Sequence, residues 1–231
     1  MRLSEIAQPT AGVDKAAIIK WLDSVRVDDY TIRDDGIVDV DGDVDIQLKK
    51  LQSIPIQFGH VSGDFNCSYN KLKSLAGAPQ LVSGGFYCNS NKLESLAGAP
   101  QSVGGDFHCS YNNLTSLVGA PQSISGIFYC GHNNLTSLAG APRSVGGDFF
   151  CAINKLTSLV GAPQSVGGSF YCGNNPQLKI LPIFKIKGIT KIYHEAQDIL
   201  NKYYKPDGTG NIIAAQDALI DAGFGSIAKV K

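Results

Sequence analysis

Six cysteines recur every 21 residues along the middle of this 231-residue chain. A phenylalanine precedes each by two residues and an asparagine follows each by three. The cysteines are Cys67, Cys88, Cys109, Cys130, Cys151 and Cys172. A fixed period of this length is typical of a solenoid, in which each repeat forms one coil and neighbouring coils share a core. The period therefore predicts a repeat solenoid.

The repeat also matches a known consensus. Asn112 and Leu114 fit the N-x-L end of the core L-x-x-L-x-L-x-x-N-x-L, and Phe107 and Cys109 occupy strand positions that usually hold leucine. The chain therefore resembles the short-repeat leucine-rich-repeat proteins of bacteria and bacteriophages over more than half its length. The resemblance implies a parallel β-sheet on a concave face and an asparagine ladder between coils. Because about 21 residues leave no room for a full helix per coil, the convex side should be extended or 3₁₀-like.

Three segments are predicted. Residues 1–36 form an N-terminal cap of helix and hairpin, and residues 37–182 form seven coils of which the first and last are atypical. Residues 183–231 form a C-terminal cap with a strand and helices. Apolar residues at helical spacing predict helices at about 14–25, 193–204 and 211–222, and Trp21 in the first of these is expected to cover the open end of the core.

Strand alternation assigns the faces of each coil. Phe107 and Cys109 should point into the solenoid, and Asp106 and His108 outward. The outward column after each phenylalanine is rich in rings, which gives the candidate binding residues Tyr87, His108, Tyr129, Phe150 and Tyr171. The acidic candidates one column away are Asp64, Asp106 and Asp148, and the flanking positions are Tyr69, Tyr111, His132 and Ile153.

The outward rings allow two interpretations. A contiguous exposed apolar stripe usually marks an interaction site, and tyrosine and phenylalanine are good anchors at protein interfaces. Neighbouring rings also stabilise a sheet without any partner. We predict a non-catalytic module that binds a protein, with a phage-particle accessory role, a carbohydrate-binding surface or association with a second copy as alternatives.

Other function classes lack support in the sequence. The formal net charge is zero, whereas nucleic-acid binders are usually basic. No nucleophile elbow or phosphate-binding loop is present, so neither an enzyme nor a cofactor is expected. The apolar runs are too short to span a membrane and the N-terminus lacks a signal-peptide core, which predicts a cytoplasmic location in a bacterium or an infected cell.

Two clusters leave alternatives open. The evenly spaced cysteines fit a buried, reduced ladder, disulfides between coils or a metal site, and the spacing favours the ladder.

Residues 28–45 hold eight aspartates and one arginine. Asp39, Asp41, Asp43 and Asp45 are expected to share one strand face, where they would discourage edge pairing, attract a partner or bind calcium.

Overall fold

The computed structural model describes residues 13–228, which form a β-solenoid of about seven coils with two mostly parallel sheets and short terminal helices. The solenoid prediction is confirmed. Residues 1–12 and 229–231 of the two predicted caps lie outside the described residues.

The first sheet, here the aromatic sheet, contains the Phe-x strand of every coil. Phe128 pairs with Phe107 on one side and with Phe149 on the other, so identical positions stack in register. Its eight strands are Val44–Asp45, Phe65–Asn66, Phe86–Tyr87, Phe107–His108, Phe128–Tyr129, Phe149–Phe150, Phe170–Tyr171 and Ile192–Tyr193.

A second sheet, here the valine sheet, corrects the prediction of one sheet per coil. It uses the short strand just before the glycines, and its first strand is antiparallel to the second. Its eight strands are Tyr30–Ile32, Val38–Val40, Phe58–Val61, Leu81–Val82, Ser102–Val103, Ser123–Ile124, Ser144–Val145 and Ser165–Val166. The return from the leucines to this sheet consists of turns and extended chain; the single 3₁₀ helix of the described residues is Leu181–Lys185, after the regular coils.

Glycines make the corner between the two sheets. A Cβ on Gly104 would lie 2.1 Å from the carbonyl oxygen of Ser83, and one on Gly126 would lie 2.1 Å from the Asp106 carboxylate in the preceding coil. No side chain fits at these two positions while the neighbouring coil stays where it is. The corner also separates Asp39, in the valine sheet, from Asp45, in the aromatic sheet, so the predicted single acidic strand face is wrong.

The core is a stack of rings flanked by thiols and leucines. Phe107 is fully buried, with its ring centroid 5.4 Å from that of Phe86 and 5.3 Å from that of Phe128. Trp21 lies edge-on to Phe58 at 6.2 Å, which confirms that it covers the N-terminal end of the core. All six cysteines are free and buried, and desolvation raises the pKa of the Cys67 thiol to about 12.

The repeated asparagine links each coil to the one before it. The Asn112 side-chain amide donates to the carbonyl oxygens of Cys88, Cys109 and Ser110, and its oxygen accepts from the backbone N–H of Leu93. The equivalent asparagines, Asn70, Asn91, Asn133, Asn154 and Asn175, make the same set of bonds. The asparagine ladder implied by the repeat is therefore present throughout the array.

Helices close both ends. Helix α1 (Lys15–Val25) buries Leu22 and Val25 at the N-terminal end. At the other end, helices α2 (Gln197–Tyr203) and α3 (Ile212–Asp221) bury Leu200, Ala215 and Leu219. The predicted 193–204 helix therefore begins later, because Ile192–Tyr193 joins the aromatic sheet.

Two side chains take the place of a further strand at the C-terminal edge. The Asn201 amide donates to the carbonyl oxygen of Ile192 at 2.9 Å and accepts from its N–H at 2.8 Å. The Tyr204 hydroxyl donates to the Ile186 carbonyl at 2.6 Å and accepts from the Ile189 N–H at 3.2 Å. Backbone groups that could pair with another chain are thus occupied.

Candidate functional site

The predicted outward rings form one continuous stack on the aromatic sheet, here the aromatic column. Each strand buries its phenylalanine and leaves the following side chain partly exposed. Successive ring centroids lie 5.1 Å apart for Tyr87 and His108, 4.3 Å for His108 and Tyr129, and 4.0 Å for Tyr129 and Phe150. Phe150 and Tyr171 follow at 3.9 Å. The structure therefore brings all five predicted anchor residues together.

Tyr193 is a sixth ring of this column that the sequence reasoning missed. Its ring lies parallel to that of Tyr171, with centroids 4.3 Å apart. The seventh coil is one residue longer than the others, so Tyr171 pairs with Tyr193 after 22 residues. The pair Ile192–Tyr193, an apolar residue followed by a ring as in the repeat, was the signal that could have identified it.

The stacking leaves ring edges, not ring faces, open to a partner. Tyr129, Phe150 and Tyr171 are stacked with interplanar angles of 10° and 8°. Their faces are covered by each other, so a sugar ring or a base has no free platform inside this part of the column. The open edges carry the positive part of the ring quadrupole, which favours contact with oxygen atoms and with the faces of other rings.

The three predicted acidic residues have a structural role in the corner. Oδ1 of Asp64, Asp106 and Asp148 accepts a hydrogen bond from the backbone N–H of Gly85, Ile127 and Ser169 in the following coil, at 2.6, 2.7 and 2.7 Å. Each carboxylate thus caps a backbone donor. They lie beside the aromatic column, and the charges of Asp148 and Asp106 add to the effect of burial in raising the pKa of Tyr129.

A second outward column, here the rim column, runs beside the first. It contains the predicted flanking residues and is made of Tyr69, Ser90, Tyr111, His132, Ile153 and Asn174. Every member has a positive φ, between 54° and 56°, and none is glycine. Tyr69 and Tyr111 are each 55 % exposed. Bulky residues rarely adopt this conformation, and apart from the stacked pair Tyr111 and His132 the exposed members have little packing to offset its cost.

Ile153 allows a direct test of this strain. Its φ is 56° and its side chain is 41 % exposed. We expect Ile153→Gly to be more stable than Ile153→Ala by about 1 kcal/mol, because glycine relieves the left-handed backbone and both variants remove the same side chain. Chemical denaturation measures the difference. The reverse order, which is normal elsewhere in a protein, would show that the backbone at this position is not strained.

A groove separates the two columns. One wall is His108, Tyr129 and Phe150, the other is Tyr111 and His132. Its floor consists of the small residues Ser110, Gly131 and Ala152, and the cavity has a volume of about 250 Å³. Tyr111 and His132 stack at 3.9 Å, so this wall too presents ring edges.

A second cleft, of about 350 Å³, lies at the C-terminal end and includes His194, Glu195 and Ser226. Nε2 of His194 is 3.2 Å from Oε2 of Glu195, and Nδ1 accepts from the N–H of Ala196 at 3.1 Å. The His194 side chain is only 3 % exposed. Because both ring nitrogens are engaged, this imidazole lacks a nitrogen that could activate a hydroxyl group.

Two histidines should make the fold sensitive to acid. Burial lowers the pKa of His108 and of His194, and neighbouring carboxylates only partly oppose this. A lowered folded-state pKa means that the unfolded chain binds the proton first. The contribution of the two neutral histidines to the free energy of unfolding is therefore fully present above the ordinary histidine pKa of about 6.5 and is lost as the pH falls below it.

We expect the free energy of unfolding to fall between pH 7.5 and pH 5.5. His108→Tyr, which places the residue of neighbouring coils at this position, should reduce the slope by up to about 1.4 kcal/mol per pH unit. Urea titrations at both pH values measure it. An identical pH dependence in the variant and the wild-type protein would contradict the role of His108.

Charges differ on the two flanks of the site. Beyond the rim column lie Lys71, Lys92 and Lys155, all exposed and outside the ion pairs formed within residues 13–228. Beyond the aromatic column lie the corner aspartates. Within the acidic N-terminal run, Asp39 forms a two-point ion pair with Arg33, at 2.6 and 2.7 Å.

Residues 13–228 lack two further features, a metal-binding cluster and a membrane-spanning helix. That part of the chain contains no group of three or more histidine, cysteine, aspartate or glutamate side chains placed to hold a metal ion. None of its helices has the length and apolar character needed to cross a membrane. Comparisons with family models, with curated proteins and with solved structures found no significant match.

Proposed function

We propose that this chain is a non-catalytic binding module that recognises a protein through the aromatic column and the rim column. The observation that supports the proposal most strongly is the rim column. Tyr69 and Tyr111 project into solvent from backbone positions that glycine would occupy at lower energy. Stacking on His132 gives Tyr111 one contact within the fold, and contact with a partner would favour both side chains further.

The ring geometry favours a protein over a carbohydrate partner. Sugar rings bind flat on aromatic faces, but in Tyr129, Phe150 and Tyr171 those faces are covered by neighbouring rings. Ring edges and tyrosine hydroxyl groups suit peptide carbonyl oxygens and aromatic side chains. Burial raises the pKa of Tyr87, Tyr129 and Tyr171, so these hydroxyl groups stay protonated and can donate hydrogen bonds at neutral pH.

We also propose kinship with the short-repeat leucine-rich-repeat proteins of bacteria and bacteriophages, on the strength of the Asn-x-Leu pattern and its ladder. A host-directed binding factor and a particle-associated accessory protein both fit this kinship. The identity of the captured partner separates them, because an accessory protein would retain a structural component of the particle and a host-directed factor would retain a host protein.

The proposal is tested by affinity capture from lysate of the encoding organism or its host. The wild-type protein is compared with a column variant that carries Tyr87→Ser, Tyr129→Ser, Phe150→Ser and Tyr171→Ser. A matched control carries Val118→Ser and Val160→Ser, which removes exposed apolar side chains (65 % and 69 %) from the return segments instead. We expect one partner to be lost by the column variant and retained by the control.

A rim variant, Tyr111→Ser with Ile153→Ser, keeps the test valid if the column variant does not fold, because these two side chains are largely exposed. Its circular dichroism should match that of the wild-type protein. Equal capture by the wild-type protein and the folded rim and column variants would move the site to another surface and leave the aromatic column as scaffold.

A further inference from the structure

The groove between the two columns is shaped for a linear occupant that runs along the solenoid axis. Its floor crosses three successive coils through Ser110, Gly131 and Ala152. With coils about 4.8 Å apart, this floor extends over roughly 10–15 Å, which is the length of about three or four residues of extended peptide. A larger side chain at any floor position would interrupt it.

The carbonyl oxygens of the floor already have hydrogen-bond donors. The carbonyl oxygens of Gly131 and Ala152 accept from the N–H groups of Tyr111 and His132, at 3.2 and 3.1 Å. The ladder asparagines donate to the same two oxygens. An occupant that runs along the axis crosses the strands and finds these oxygens already bonded, so its main contacts are with the groove's side chains.

The walls present partial positive charge. Ring edges of Tyr129 and Phe150 face the groove from one side and those of Tyr111 and His132 from the other, because the two rings of each pair stack face to face. Ring edges attract oxygen atoms. No carboxylate lines the groove in the part of the chain that the structure describes.

The two flanks of the groove carry opposite charges. The flank beyond the rim column carries Lys155 in the last groove coil and Lys92 one coil before the first, whereas the opposite flank carries Asp106 and Asp148. Both aspartates accept hydrogen bonds from backbone N–H groups of the following coil. A carboxylate on an occupant is attracted to the lysine flank and repelled by the aspartate flank.

We infer that the groove binds an extended acidic peptide segment of the partner, lying along the solenoid axis with its carboxylates toward Lys92 and Lys155. This inference rests on the proposed protein-binding function and specifies which part of the surface the partner uses. Carbonyl and carboxylate oxygens meet the ring edges, and small or aliphatic side chains lie over the floor.

A displayed library of random linear heptapeptides tests the inference, with the full chain as bait. We expect enrichment of sequences with aspartate or glutamate. Ala152→Trp fills the groove from its floor and should weaken the selected peptides by at least about tenfold, or 1.4 kcal/mol. Ser144→Trp, on the valine sheet of the same coil region, is the control and should leave affinity unchanged.

Lys155→Glu reverses one charge of the flank without touching the floor. It should weaken acidic peptides and shift the selection toward neutral or basic ones. Peptides that bind Ala152→Trp and the wild-type protein equally, or that lack acidic residues, would overturn the inference. The inference would also be overturned if the wild-type protein bound a β-glucan or a single-stranded DNA oligonucleotide more tightly than peptides and Ala152→Trp weakened that binding.

The outcomes separate the two proposals. Binding lost in the column variant but kept in Ala152→Trp overturns the groove assignment and leaves the protein-binding function standing. Partner capture and peptide binding that survive the column, rim and groove variants overturn both. Binding lost in all three variants and kept in Ser144→Trp supports both.

Discussion

Asn112→Asp is expected to destabilise the solenoid by about 3–5 kcal/mol, the usual cost of leaving a buried charge without a partner. The amide nitrogen donates to three carbonyl oxygens, those of Cys88, Cys109 and Ser110, and the residue is 7 % exposed. A carboxylate at this position would face three acceptors without a proton to share. Neutralising it by protonation supplies one donor where three bonds were made, so acid should restore only part of the loss.

Asn113→Asp is the matched control, because it makes the same chemical change one residue later, where the side chain is exposed. We expect it to alter the free energy of unfolding by less than about 0.5 kcal/mol. Urea denaturation followed by circular dichroism and by tyrosine fluorescence measures both variants. Two probes are needed because repeat proteins can unfold coil by coil. Equal effects at the two positions would mean that the asparagine ladder does not hold the coils together.

Phe107→Ala should cost about 3–5 kcal/mol, as for other buried aromatic residues. Its ring is fully buried between Phe86 and Phe128, and coils on both sides lose a contact when it is removed. Tyr129→Ala should cost much less, about 0.5–1.5 kcal/mol for the lost ring contacts, because its side chain already meets solvent.

The comparison between Phe107 and Tyr129 tests the face assignment by thermal unfolding. Gly-rich corners fix which residues point inward, so a large cost at Phe107 and a small one at Tyr129 follow directly from the described coil. Equal losses of stability would show that the outward ring is as much a part of the core as the inward one, and would weaken its assignment as a binding surface.

Much of this fold follows from one period. Because coils stack in register, residues 21 apart become neighbours, and the position of Phe107, Cys109 and Asn112 in one coil fixes the core and the ladder of all the others. The aromatic column follows for the same reason. Its members could be named from the sequence, since spacing alone places Tyr129 beside His108 and Phe150.

The second sheet could not be obtained in this way. A leucine-rich-repeat template provides one strand per repeat, and two-residue strands such as Ser102–Val103 are too short to show alternation. The Gly-Gly pair of the repeat lets carbonyl groups of the neighbouring coil approach closely, which its sequence alone does not reveal. A repeat explains which residues align, but not how the chain bends between them.

The finer features of the candidate site depend on conformation and are therefore hidden in the sequence. Residue identity does not reveal that Tyr111 and Ile153 have a left-handed backbone, or that stacking covers the faces of Tyr129 and Phe150. Asp106 was predicted to face a partner, but its hydrogen bond to the Ile127 N–H gives it a place in the scaffold as well. Tyr193 was missed because one extra residue breaks the period just before it.

Asn201 and Tyr204 have a consequence for how such an array can change over time. They end the two sheets with side-chain hydrogen bonds to Ile186, Ile189 and Ile192, outside the regular coils. Whole 21-residue units can therefore be gained or lost upstream without altering either terminus. Each such event would lengthen or shorten the aromatic column by about 4.8 Å. The length of the array can thus change in fixed steps, while the backbone groups of Ile186, Ile189 and Ile192 at this end stay occupied by side chains.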